Sequence, residues 1–298
     1  MIQAFRALGL AALALGSFDP GGQAAPVRPA SESRSQTVYV SVLDAKHTPV
    51  TGLSAADFTV REDSAAREVL RAEPATDPMQ VVLIVDDSQA AGDALVPLRQ
   101  GLSAFVDKLK GRAEIDIVTV GDRSMSLVPS TTDPTALKNG INRIFARTGA
   151  GAYLLDAVMD VSQGFQRRKA QRPVIVALTF EGTQFSNLQY DTVLKPLEAS
   201  GAVLHVLTVG TPSASMVDEM RNRNQLIAEG TERTGGRRDQ VLTPSGIAEA
   251  LPRVADELLS QYAVIYGRPE MLIPPEKIQV KVSRPDVTVR ARTRTAGR

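Results

Sequence analysis

The sequence contains no cysteine and no tryptophan. The first absence excludes disulfides, thiolate metal sites and a cysteine nucleophile together. The second, with aromatic residues at only 4% of the chain, leaves little material for carbohydrate stacking or for aromatic platforms that hold single-stranded nucleic acid. Histidine occurs only at His47 and His205, too far apart in sequence to read as a metal cluster or a triad. Neither sign of charge dominates. With 34 Lys and Arg against 33 Asp and Glu, nothing global draws the chain to nucleic acid or to an anionic membrane. The apolar run near the start, Ala7 to Leu15, is far shorter than the roughly 20 residues of a membrane span. It follows Arg6 and precedes small residues at Gly22, Ala24 and Ala25, so residues 1–25 read as a secretory signal. The expectation is an exported protein, periplasmic or secreted, with no integral membrane span.

What is present points to a globular α/β chain. Hydrophobic residues make up 43% of the sequence and charged residues 22%, ordinary values for a folded protein. Residues 26–36 are rich in Pro, Ser and charge and read as a flexible lead-in. Val38, Val40 and Val42 then alternate with Tyr39, Ser41 and Leu43, and Phe58 to Glu62 alternates again. These are half-buried antiparallel strands. Over 79–266, continuous apolar strands (Val81 to Val85, Ile115 to Val120, Val174 to Leu178, Val203 to Val209) alternate with segments of helical spacing. That rhythm predicts a doubly wound, mostly parallel sheet with helices on both faces. The end returns to alternation, Ile278-Val280-Val282 and Val287-Val289-Ala291 around Pro285-Asp286, and reads as a hairpin. A lone hairpin is marginal, so 276–294 is expected to join 37–74 in one small β domain beside the α/β domain, with 295–298 as a tail.

The sharpest chemical signal is where Val81 to Val85 ends in Asp86-Asp87-Ser88-Gln89-Ala90. Ligands of open α/β sheets bind beyond the carboxyl ends of the strands, so a carboxylate and a hydroxyl here mark a candidate site. The plainer alternative is that Asp86 and Ser88 bond backbone NH groups of the following loop. Asp87 reads as a solvated neighbour, and no paired acid and base stands out. His205 reads as a strand residue with a satisfied ring and His47 as a turn residue. Arg290, Arg292 and Arg294 fall on one face of a strand, either an exposed face that blunts an edge or an anion-contacting one. Gly149, Gly151, Gly235 and Gly236 mark loops, and none begins a Walker or Rossmann fingerprint.

Taken together, these segments resemble the von Willebrand factor type A domain, most of all the bacterial exported proteins that carry a related domain. The resemblance covers roughly Met79 to Tyr266. It extends to Val50-Thr51-Gly52-Leu53 with Asp57-Phe58-Thr59-Val60 and Glu62-Asp63, and to Ser260-Gln261-Tyr262 with Val280-Lys281-Val282. It implies a metal-ion-dependent adhesion site built from Asp-x-Ser-x-Ser, a loop Thr and a further Asp, holding a magnesium-like ion that accepts a partner's carboxylate. Asp86 and Ser88 match, but the second serine falls on Ala90 and the threonine on Ala152, where Thr148 upstream could substitute only if the loop takes another path. The last aspartate falls on Phe180 if Leu178-Thr179 is aligned, or on Glu181 if Gly182 is aligned; the second choice also places Ser186 on a family serine. Mg²⁺ binding needs about six oxygens, so losing two ligands implies a degenerate site with no cofactor, or at most weak Mg²⁺ or Mn²⁺ binding. The resemblance thus implies an exported, non-enzymatic binding or scaffolding protein whose partner is another protein. Two alternatives stay open: metal-dependent adhesion through Asp86, Ser88 and Glu181, and a hydrolase using Asp86, Asp87 and Glu181 as acid and base.

Overall fold

The computed structural model describes residues 33–212, 217–270 and 273–295. The secretory-signal reading over residues 1–25, residues 26–32 of the lead-in and residues 296–298 of the tail lie outside the described residues. Four strands open the described chain: β1 (Ser33–Leu43), β2 (Phe58–Glu62), β3 (Ala65–Arg67) and β4 (Val69–Pro74). The α/β part follows as β5 (Met79–Val85), α1 (Leu95–Leu109), β6 (Ala113–Thr119), β7 (Met125–Thr131), α2 (Pro134–Asn142), α3 (Leu154–Arg168) and β8 (Pro173–Phe180). It continues through α4 (Tyr190–Ser200), β9 (Val203–Val209), α5 (Asp218–Thr234), β10 (Arg238–Val241) and α6 (Ile247–Leu259). The chain then returns to strands, β11 (Tyr262–Pro269), β12 (Ile278–Val282) and β13 (Thr288–Arg290).

The central sheet has the order β10-β9-β8-β5-β6-β7. All neighbours are parallel except β7, which runs antiparallel to β6 at the edge. Because β5 and β8 are adjacent although far apart in sequence, the chain reverses its direction of winding there, and the crevice above them is the switch point where α/β sheets bind ligands. Strand geometry explains the continuous apolar runs. Successive side chains of β5 point to opposite faces, so Leu83 and Val85 enter one core with Leu98, Phe105, Ile117 and Leu251, while Val82 and Ile84 enter the other with Leu155, Phe165, Leu197 and Leu226.

The flanks differ from the sequence reading in three ways. The two final strands do not form a hairpin: β12 pairs with β2, and β13 pairs with β1. Alternation reports that a strand is half-buried but does not choose its partner; here Val280 faces Val60 and Val289 faces Val42 across different sheets. The strand at Tyr262, read as the end of the α/β part, lies between β1 and β4 in a four-stranded sheet of order β13-β1-β11-β4. And β1 begins at Ser33, inside the expected lead-in. Both flank sheets share one core around Val40, Val60, Tyr262, Val264 and Ile278. Glu62 is fully buried there and is held by Tyr266, Arg67 and Arg268, a cluster that ties β2, β3 and β11 together.

Candidate functional site

Asp86 lies at the carboxyl end of β5, at the switch point, and is 1% exposed. Both of its carboxylate oxygens are occupied by protein donors. Oδ1 accepts from Ser88 N at 2.9 Å, while Oδ2 accepts from Phe180 N at 3.0 Å and Thr179 Oγ1 at 3.2 Å. Burial pushes the pKa of Asp86 up, and the bonds from Phe180, Ser88 and Thr179 pull it back toward the charged form. The carboxylate therefore works as a brace between the ends of β5 and β8. Ser88 is buried beside it and begins a short 3-10 turn, Gln89–Ala94.

Asp87 is not solvated. It is 2% exposed, Oδ2 pairs with Arg147 Nε at 2.9 Å, and Oδ1 accepts from Gly121 N at 2.6 Å. Its carbonyl also accepts from Arg147 N at 2.9 Å. Gly121 must be small, since a Cβ there would stand 2.6 Å from Asp87 Oδ1. Gln89 completes the clasp: its N donates to Ala150 O at 3.1 Å and its Oε1 accepts from Gly149 N at 2.8 Å. The loop between α2 and α3 is thus drawn across the end of β5 by side chains and backbone alone.

Ala90 and Ala152 fill their positions with carbon. A Cβ built on Gly182 would lie 2.8 Å from the Ala90 methyl, so the two loops approach closely there. Ala152 is buried in the core on the α3 face, and its backbone pairs with the loop after β8 through Thr183 O and Phe185 N, each at 2.9 Å. Thr148 is exposed on the outside of the loop. Ser186 is buried and its Oγ accepts from Leu155 N at 3.2 Å, at the start of α3.

At the last ligand position, Phe180 buries its ring in the core. Glu181 carries a carboxylate, but Oε1 pairs with Arg223 Nη2 at 2.8 Å. Arg223 is 1% exposed and also donates from Nη1 to Phe180 O at 3.2 Å. Glu181 Oε2 is buried without a partner and lines a cavity of about 460 Å³ with Arg223, Thr208 and Gln240. Asp86 and Glu181 therefore serve different partners.

The fit of a magnesium-like ion can be judged on these contacts. Asp86 has its oxygens engaged by NH and OH donors, Ala90 and Ala152 offer only methyl groups, and Glu181 is paired with a buried guanidinium. Among the described residues, no group of three or more His, Cys, Asp or Glu could hold a metal ion. These residues do not fit a hard six-oxygen ion. They do not form an acid and base pair either, since Asp86, Asp87 and Glu181 each close a separate structural bond. Arg147, Arg223, Gly121 and Thr179 were missed in the sequence. Arg147 and Arg223 lie far from their carboxylates along the chain, and nothing local marks either as a partner.

His205 is a buried residue of β9, but its ring is only half satisfied. Nδ1 accepts from Arg237 N at 3.2 Å, while Nε2 has no partner. The arginine ladder does not form an exposed face: Arg290 pairs with buried Glu257 at 2.9 Å, Arg294 approaches Glu276 at 3.8 Å, and Arg292 is turned inward.

No family model and no curated protein matches the sequence. Solved structures do match in shape. A von Willebrand factor type A protein from Catenulispora acidiphila is 11% identical, covers 90% of this chain and 75% of its own, and has a TM-score of 0.50. Proximal thread matrix protein 1 of the mussel byssus, with a zinc-occupied MIDAS motif, is 13% identical with a TM-score of 0.51; the match covers 66% of this chain and 49% of the mussel protein, about half its length. The likeness in overall shape shows the fold: the chain has the von Willebrand factor type A fold.

Proposed function

We propose that this is an exported, non-enzymatic protein-binding module that grips its partner with the carboxyl-end face of the central sheet and without a metal ion. One observation carries the reading. Of the eight large apolar side chains exposed among the described residues, six stand at that end of the sheet: Val96, Met125, Phe145, Phe185, Val217 and Leu242. The loops at this end of the sheet therefore present aromatic and aliphatic groups across the whole face, from Met125 at the start of β7 to Leu242 after β10. Two of the rings have a fixed setting. Phe185 meets Tyr153 edge-on at 5.8 Å, and the Arg147 guanidinium lies 5.5 Å from the Phe145 ring centre. Aromatic and arginine groups held in this way are what the energetic centres of protein interfaces are made of. Among the described residues no helix is long and apolar enough to cross a membrane, and export rests on the leader reading of residues 1–25.

The test is capture from an envelope extract with purified protein, in chelator and in Mg²⁺. A defined partner should be retained equally in both and lost with the Phe145→Ser, Phe185→Ser double variant. Calorimetric titration with Mg²⁺ or Mn²⁺ should give no saturable heat. Capture that needs the divalent ion, or that ignores the double variant, would overturn the reading.

A further inference from the structure

A buried arginine and a half-buried one line the same cavity where the α/β part rests on the flank sheet, and neither forms an ion pair, although Asp77 and Glu198 act on their charges from nearby. Arg172, immediately before β8, and Arg292, just after β13, line one small cavity of about 100 Å³ together with Thr37, Gly201, Thr234 and Gln261. Arg172 is 6% exposed. Its Nη1 donates to Asp77 O at 2.9 Å and Ala75 O at 3.4 Å, and its Nη2 to Leu258 O at 2.8 Å and Gln261 Oε1 at 3.0 Å. Its Nε is buried with no partner at all. The nearby Asp77 carboxylate is engaged by Tyr39 OH at 3.0 Å, and the Tyr39 ring lies 4.8 Å beneath the guanidinium. Arg292 donates from Nε to Arg294 O at 2.7 Å and from Nη2 to Glu198 O at 3.3 Å, and its Nη1 reaches to the Gly201 wall of the cavity. Gly235 makes this entry feasible, because a Cβ there would stand 2.3 Å from the Ala291 backbone just before Arg292.

Four other inward-facing arginines are neutralised, Arg223 by Glu181, Arg237 by Asp239, Arg268 by Glu62 and Arg290 by Glu257, while Arg99 and Arg112 bond the carbonyls of Ile144 and Ala75 and do not line this cavity. Arg172 and Arg292 likewise have carbonyl oxygens in place of carboxylates. Two of these, Leu258 O and Glu198 O, belong to the last turns of α6 and α4, where a helix end supplies only about half a negative charge. Burial also pulls both guanidinium pKa values down from the usual arginine range, the sign of charges short of compensation. On its other side Arg292 borders a more open groove of about 540 Å³ with Arg61 and Lys277, in which the Asp63 carboxylate already accepts from Glu276 N and Lys277 N.

We infer that this cavity is a binding site for a single small oxyanion of the size and charge of phosphate or sulfate, clamped between Arg172 and Arg292. The volume sets the class. Liquid water takes about 30 Å³ per molecule, so the cavity holds roughly three waters or one tetrahedral oxyanion, well below the 300–1,000 Å³ or so of sites for larger ligands. A doubly charged anion would neutralise both guanidinium groups, give the orphaned Arg172 Nε an acceptor, and fasten the α/β part to the flank sheet. With both Nη atoms of Arg172 and the Nε of Arg292 already bonded, the donors left for the anion are Arg172 Nε and Arg292 Nη1, each able to make a charge-assisted hydrogen bond.

The experiment uses the full chain, with inorganic phosphate as probe and chloride at matched ionic strength as control. Calorimetric titration should give one saturable site, and phosphate at a hundredfold excess over its dissociation constant should raise the melting temperature by about 4–5 °C. Arg292→Gln should weaken phosphate at least tenfold. Its melting temperature without phosphate should stay within a few degrees of the parent's, since Arg292 has only two carbonyl bonds to lose. Phosphate that acts no differently from chloride, or that binds Arg292→Gln as well as the parent, overturns the inference. Should that variant fail to fold, anomalous scattering from parent crystals grown with tungstate decides the matter: density between Arg172 and Arg292 supports the site, and its absence there overturns it.

Discussion

Asp86→Ala is expected to lower the unfolding free energy by about 3 kcal/mol or more in metal-free buffer. The carboxylate accepts from Ser88 N, Phe180 N and Thr179 Oγ1, all in buried surroundings. Removing it orphans three donors, each at a cost of about 1–3 kcal/mol, and leaves a small void above the switch point. Part of that cost is offset because a poorly solvated charge is removed too, consistent with the upward push on the Asp86 pKa. Urea unfolding of parent and variant, each with chelator and with Mg²⁺, measures the effect. The brace predicts a large loss that is the same in both buffers, with a parent midpoint indifferent to Mg²⁺. A metal ligand predicts the reverse: a variant as stable as the chelated parent, and a parent stabilised by the ion. That second pattern would return Asp86 to the role its motif implies.

This difference between brace and ligand marks where the sequence stops being readable. The central sheet was legible because Val81 to Val85 and Val174 to Leu178 are buried on both faces, and such strands show as unbroken apolar runs whatever surrounds them. That Ala90 and Ala152 supply no ligand atom was legible as well, since a methyl cannot coordinate in any conformation. What Asp87 and Glu181 do was not legible. Their partners Arg147 and Arg223 come from other elements, and a carboxylate's local sequence is the same whether it faces water, a metal or a guanidinium. The flank strands failed for a related reason. The alternation in Ile278 to Val282 and Thr288 to Arg290 is satisfied equally by pairing with each other or by pairing with β2 and β1. The choice is made by long-range burial around Val60, Tyr262 and Val264, which no local window contains.

Lowering the pH from about 6.5 to about 4 is expected to weaken the fold through His205 by an amount on the order of 3 kcal/mol. Burial in β9 holds this imidazole down at about 4, against an ordinary value of 6.5. Glu257 and Asp239 draw it upward while Arg290 and Arg237 push it further down, so the neighbours largely cancel and desolvation decides. The sign follows from proton counting: between these two values the unfolded chain binds a proton that the folded chain refuses. Stability is therefore complete above about pH 6.5, falls as the pH drops toward 4, and loses nothing more from this group below that. Asp86 acts in the opposite direction, because its raised folded pKa adds stability at low pH that is lost as the pH rises. The two contributions separate in His205→Asn, whose side-chain oxygen can still accept from Arg237 N but cannot gain a charge. Urea midpoints of parent and variant measured at several pH values from 7 to 4 should diverge, the parent declining the more steeply. Parallel curves would mean that the folded chain already takes up the proton near the ordinary histidine value, which requires Nδ1 to give up the bond from Arg237 N and a buried negative charge to compensate the imidazolium. Glu257, whose charge draws the His205 pKa upward and whose Oε1 is buried and unpartnered, is the nearby group of that kind. That residue lies on α6 and also holds Arg290 of β13. Titration of His205 would then be felt first at the seam between the α/β part and the flank sheet.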